Sequence, residues 1–139
     1  MPVGATRTTP PRVGIMLRHV TAPGGVTVFT KRVVRYLLTH PDGIEYHLLY
    51  SHPSQREVLG DLPVHVVLED PARLRWDQVT APRYAERNGL ALLVNCKFSV
   101  PLATAVPTLS VIPGREQLAM AHVFPWYIRW YNQLFVPAF

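Results

Sequence analysis

The chain has 139 residues, 48% of them hydrophobic and 17% charged, with a formal charge of +5 and a single cysteine, Cys96. That length suits one domain and is short for two. The composition excludes a disordered chain. The mild charge excludes the dense Lys/Arg stripe of a nucleic-acid binder and suits a phosphate-bearing ligand or an anionic membrane surface. One cysteine excludes an internal disulfide, so a reduced, cytoplasmic setting is expected.

Residues 1–11 are rich in Thr and Pro, hold no apolar stretch of signal-peptide type, and read as a flexible tail. Residues 12–139 read as a single domain. Residues 12–18 predict a buried strand that runs through His19 and a short loop to Gly24-Gly25. Residues 26–40 have helical period, with Val26, Phe29, Val33 and Leu37 on one stripe and Lys31, Arg32 and Arg35 on another face. Pro41-Asp42-Gly43 stops this helix, and residues 44–50 predict a second strand. A polar connection over 51–62 leads to a short strand over 64–68. A second helical region spans 71–88, and Pro82 predicts a break or fresh start within it. Residues 90–94 and 108–112 predict the fourth and fifth strands, with a short helix or loop between them over 100–105. A last helix is expected over 125–136.

Apolar strands alternating with helices predict an α/β, Rossmann-like domain with a mostly parallel sheet and helices on both faces. Ligands of such sheets lie beyond the carboxyl ends of the strands. The chemistry is therefore expected in residues 18–25, 51–53, 69–71, 95–99 and 113–116.

Gly24-Gly25 is the leading feature. A strand that turns through glycines into a helix brings bare backbone amides, and the positive end of the helix dipole, close to a ligand phosphate. The same glycines also serve a tight turn with no ligand. Neither a dinucleotide G-x-G-x-x-G pattern nor a Walker A loop is present. His19 follows the first strand, where it either faces a ligand or is solvated. Asn95, Lys97 and Ser99 follow the fourth strand and either meet an acceptor hydroxyl or cap the next segment. Arg115 and Glu116 follow the fifth strand and either contact a ligand or pair with each other.

Three stretches, taken together, resemble the N-terminal domain of a GT-B fold, family 4-type glycosyltransferase. The first is residues 13–31, VGIMLRHVTAPGGVTVFTK, with its Gly-Gly-Val turn. The second is Trp76-Asp77-Gln78 with Pro82, followed by AERNGLALLVNCKFSVPL up to Leu102. The third is residues 106–112 and the aromatic helix after them. The resemblance covers almost the whole chain past residue 12. It implies that this domain forms the acceptor side of a cleft whose other side is a C-terminal donor domain. Gly24 and Gly25 would line the diphosphate of a nucleoside-diphosphate sugar, which is the donor substrate, and no cofactor or bound metal is implied.

The sequence departs from the family at one position that matters. Where the family has Val-x-Val-His-Gly, this chain reads Ser110-Val111-Ile112-Pro113-Gly114. Pro113 offers no side-chain donor or base, so no catalytic residue is assigned. The chain also ends at Phe139, before the family's donor domain, so the expectation is half of a glycosyltransferase, inactive alone: a fragment, one half of a split enzyme whose second chain carries the C-terminal domain, or a degenerate paralogue.

The six histidines show no metal-ligand spacing and Cys96 has no cysteine partner, so no metal site is expected. Cys96 reads as a small core residue. In the last helix Trp126, Tyr127, Trp130 and Tyr131 share a stripe. Core packing accounts for such a stripe, and so does an uncovered surface for self-association or peripheral contact at the inner membrane surface. The alternative function is thus a non-catalytic interaction or scaffold protein. A third is an unrelated nucleotide-binding Rossmann-like domain.

Overall fold

The computed structural model describes residues 9–40, 42–60, 65–97, 99–111, 121–123, 125–127 and 129–130. Its centre is a five-stranded, all-parallel sheet in the order β3-β2-β1-β4-β5. The strands are β1 (Arg12–Met16), β2 (Glu45–Tyr50), β3 (His65–Val67), β4 (Leu92–Asn95) and β5 (Thr108–Ser110). Helix α1 (Gly25–Thr39) joins β1 to β2. A 3-10 helix over Pro53–Leu59 joins β2 to β3. Between β3 and β4 run α2 (Arg73–Arg75), a π-helical turn (Trp76–Thr80) and α3 (Ala81–Arg87).

The sheet has a core on each face, which accounts for its nearly continuous apolar strands. Val13, Ile15 and Leu17 of the β1 run, with Leu48 and Tyr50 of β2, pack against Val34 of α1 and Leu59 of the 3-10 helix. Met16, Leu49 and Leu93 pack on the other face against Trp76, Ala81 and Ala85. Gly14 points to this second face. A Cβ there would lie 2.8 Å from a Leu90 methyl and 2.9 Å from a Leu93 methyl, so glycine makes room for these two side chains against β1.

One sequence expectation is corrected. The fully buried positions of α1 are Thr27, Thr30 and Val34, while Val26, Phe29 and Val33 are only half-buried. The two threonines stay inside because each hydroxyl is satisfied there. Thr27 donates to the His19 carbonyl at 3.2 Å and Thr30 to the Val26 carbonyl at 2.8 Å. An apolar stripe read from side-chain type alone therefore falls one residue off the true buried face.

Pro82 marks a fresh start, as the sequence expected: it sits in the first turn of α3, directly after the π-helical turn. Asp70 anchors the start of the segment. Its carboxylate accepts from Arg75 at 2.8 and 2.7 Å, from Thr80 at 2.8 Å and from the Ala72 amide at 3.0 Å. The Arg75 guanidinium foremost holds this carboxyl well below the usual carboxylate range.

The tail expected over 1–11 and much of the helix expected over 125–136 lie outside the described residues. So do Pro113, Arg115, Glu116 and Tyr131. No helix among the described residues is long and apolar enough to cross a membrane.

Substituting Gly14→Val forces the Leu90 and Leu93 side chains aside. It is expected to lower unfolding free energy by about 1–3 kcal/mol, read as a drop in the urea midpoint at unchanged slope.

Candidate anion site at the carboxyl edge of the sheet

The chain leaves β1 toward β2 and β3 on one side, while β4 and β5 lie on the other. The crevice between the carboxyl ends of β1 and β4 is thus the topological switch point, where doubly wound sheets receive their ligands. Met16 and Asn95 are paired in register. Two residues beyond that pair stand Arg18 and Lys97, so the register itself brings two cations to the crevice mouth.

The loop from β1 enters α1 at Gly24, whose φ of 126° belongs to glycine. The start of α1 has neither a side-chain cap nor an acidic residue in its first turn. Its first amides, with the positive end of the helix dipole, are therefore open to an anion.

Asp77 ties these loops together from beneath. It is almost fully buried and receives a bidentate pair from Arg18, at 3.0 and 3.2 Å. Ser99 donates to the same carboxylate at 3.4 Å, and Asn95 donates to the Ser99 carbonyl at 2.6 Å and its hydroxyl at 3.1 Å. The neighbouring Gln78 donates to the Val100 carbonyl and accepts from the Leu102 amide, each at 2.9 Å. Trp76 is fully buried and donates its indole N–H to the Leu68 carbonyl at 3.0 Å. The Trp-Asp-Gln triplet is therefore a clamp that fixes the post-β4 loop and the end of the sheet.

Several of the predicted residues take part in this arrangement. The Asn95 amide is committed to capping its own loop, the second of its two sequence readings. Lys97 is half-buried; its carbonyl accepts from the Ser110 hydroxyl at 2.8 Å, while its ammonium makes no hydrogen bond or ion pair among the described residues. Burial first, then the charges of Arg73 and Arg18, pull its ammonium down to about 8, against the opposing effect of Asp77. A cation held under such strain gains from any anion that approaches it.

His19 is not solvated, contrary to one of its two readings. It is only 5% exposed, because the loop after β1 folds it under α1, where its Nε2 lies 3.1 Å from the Thr30 hydroxyl. Burial foremost, then Lys97 and Arg18, push its imidazole down to about 4, so the ring is neutral at pH 7. Cys96 is buried, with its thiol pushed up by burial, and sits in the core as its sequence reading expected.

A cleft of about 350 Å³ opens beside the crevice. Its lining includes Arg18 after β1, Ser51 and His52 after β2, and Glu69, Asp70 and Arg73 after β3. All of these but Arg73 fall in the post-strand ranges at which the sequence pattern located the chemistry. Arg18 and Arg73 were not singled out in advance. For Arg18 the signal was its place immediately past a buried strand; for Arg73 the sequence offered none. Among the described residues no group of three or more His, Cys, Asp or Glu side chains is arranged to hold a metal ion.

Away from the crevice, Trp126, Tyr127 and Trp130 are 75%, 58% and 63% exposed. Arg32 and Arg35 lie on exposed positions of α1 and Lys31 is half-buried. No family model matches this chain, and neither the curated proteins nor the solved structures provide a significant match.

The depressed imidazole has a consequence for stability. Between pH 6.5 and about 4 the unfolded chain takes up a proton at His19 that the folded chain refuses. Its contribution is thus complete above pH 6.5 and is lost as pH falls toward 4, of the order of 2–3 kcal/mol. Chemical denaturation across this window is expected to show the loss, and His19→Gln to flatten it. An equal slope in the variant would assign the effect elsewhere.

Proposed function

We propose that this domain is the acceptor-side half of a glycosyltransferase cleft. In this reading Gly24-Gly25 and Lys97 receive the diphosphate of a nucleoside-diphosphate sugar, and the cleft between Arg18 and Arg73 receives the acceptor. One observation carries it. The uncapped glycine start of α1 and a half-buried lysine, whose ammonium has no partner among the described residues, lie at the two sides of the switch point of a parallel sheet. The resemblance of residues 13–31, 76–102 and 106–112 to GT-B N-terminal domains adds the reaction class.

In that reaction an acceptor hydroxyl attacks the anomeric carbon, the bond to the diphosphate breaks, and its electron pair leaves on the phosphate oxygen. Backbone amides and positive groups stabilise that departing charge without a metal. Arg18 is already neutralised by Asp77, which leaves Lys97 as the cation suited to this task. Pro113 stands where the family carries histidine, so the base, like the donor domain, would come from a second chain or segment.

A second reading, an interaction or scaffold domain, is favoured by the exposed Trp126, Tyr127 and Trp130. It predicts association of the purified chain. Light scattering that finds a clean monomer at high concentration, unchanged by detergent, would sink it.

The glycosyltransferase reading is tested by calorimetric titration with a panel of nucleoside-diphosphate sugars. One side of a cleft is expected to bind weakly, with Kd near 1 mM, about −4 kcal/mol, and to transfer no sugar. Lys97→Met is expected to weaken binding about tenfold, roughly 1.4 kcal/mol. Affinity is also expected to fall as pH rises through about 8, where Lys97 loses its proton. Sugar transfer by the 139-residue chain alone, or indifference of binding to Lys97, would overturn the assignment.

A further inference from the structure

Among the described residues, His19 is a buried polar group of the crevice to which neither the diphosphate reading nor the Asp77 network gives a task. Its hydrogen bonding fixes its chemistry. The Thr30 hydroxyl has a single proton, and it is directed at the Val26 carbonyl 2.8 Å away, the usual choice of a threonine inside a helix. Toward His19 the same oxygen can only accept, so the hydrogen sits on His19 Nε2. In a neutral ring Nδ1 is then a bare acceptor.

That acceptor is open. Among the described residues Nδ1 has no partner, and none of their side-chain nitrogens or oxygens that is sealed from solvent lacks one. Nδ1 therefore reaches solvent, although the ring as a whole is 5% exposed. It does so at the residue that directly follows Arg18. The charges that act on the ring are those of Lys97, Arg18, Asp77 and Arg73.

A lone acceptor set among cations has a narrow choice of ligand. The cations attract an anion, but an anion brings oxygen lone pairs that Nδ1 repels. A molecule that satisfies both carries a negative group and, a few ångströms away, a hydroxyl that can donate. A phosphorylated sugar has this combination, whereas pyrophosphate supplies only the charge.

We propose that His19 is a ligand-contacting residue whose Nδ1 accepts a hydrogen bond from a sugar hydroxyl of a phosphorylated sugar held at Lys97 and the first amides of α1. This rests on the diphosphate reading and adds to it the sensing of the sugar itself. Two substitutions separate the ring's nitrogens. Asparagine can place an acceptor near Nδ1, whereas glutamine can place a donor near Nε2 and leaves the Nδ1 position empty.

The test uses the full chain, isotope-labelled for histidine NMR, at neutral pH with two probes, pyrophosphate and UDP-glucose. The free chain is expected to show His19 as the Nε2–H tautomer. UDP-glucose is expected to shift Nδ1 in the direction of an accepted hydrogen bond, and pyrophosphate to leave it nearly still. H19Q is expected to weaken UDP-glucose roughly three- to tenfold with pyrophosphate affinity kept, and H19N to recover most of the loss. Binding of both probes with a silent Nδ1, an equal shift with pyrophosphate, or formation of an imidazolium would overturn the proposal alone. Binding of neither probe would overturn the diphosphate reading along with it. The spectra of the unsubstituted chain decide the matter even where a variant fails to fold.

Discussion

The buried pair of Arg18 and Asp77 is the interaction on which the crevice depends. Arg18 arrives from the loop after β1 and Asp77 from the π turn on the opposite face of the sheet, and their two-pronged contact closes over the sheet's carboxyl edge. Through Ser99 and Asn95 the same carboxylate reaches the loop after β4. A buried carboxylate is costly unless every oxygen is engaged, so the three segments are held in one arrangement or the charge is left exposed to an apolar interior. Lys97 and His19 owe their surroundings to this closure.

That closure also divides the cations by task. Arg18 is matched and acts as structure. Lys97, next to it in register, is half-buried and has no carboxylate partner among the described residues, and its proton is loosened by its neighbours. The difference between the two is set by which one a carboxylate can reach, not by residue type. A domain that keeps one uncompensated ammonium beside the open end of a helix holds a standing preference for negative charge.

The large features of the fold were legible in the sequence because they rest on local patterns. Continuous apolar runs marked the parallel strands, and glycine and proline marked their ends. The five strands and their alternation with helical segments follow from these. The buried face of α1 was not legible, since Thr27 and Thr30 are polar by type and become interior residues only through the carbonyls that tertiary folding and the helix give them. Pro82 was legible as the start of a new helical segment, whereas no residue pattern announced the π turn that precedes it.

At the site, position was readable and role was not. Post-strand location picked out Gly24, Gly25, His19, Asn95 and Lys97. That Asn95 is committed to Ser99, that the Lys97 ammonium has no partner among the described residues, and that His19 is buried all depend on contacts between segments far apart in the chain. The motif Trp76-Asp77-Gln78, which carried much of the resemblance, proves to be structural support.

The backbone at Gly24 has one more consequence. Helices are ordinarily closed at this point by Ser, Thr, Asp or Asn, whose side chains satisfy the first amides. A φ of 126° is hostile to each of them. The conformation that admits glycine here thus bars the chain from sealing its own helix. Self-sufficiency and receptivity are exclusive alternatives at this residue, and the geometry of the turn has chosen receptivity.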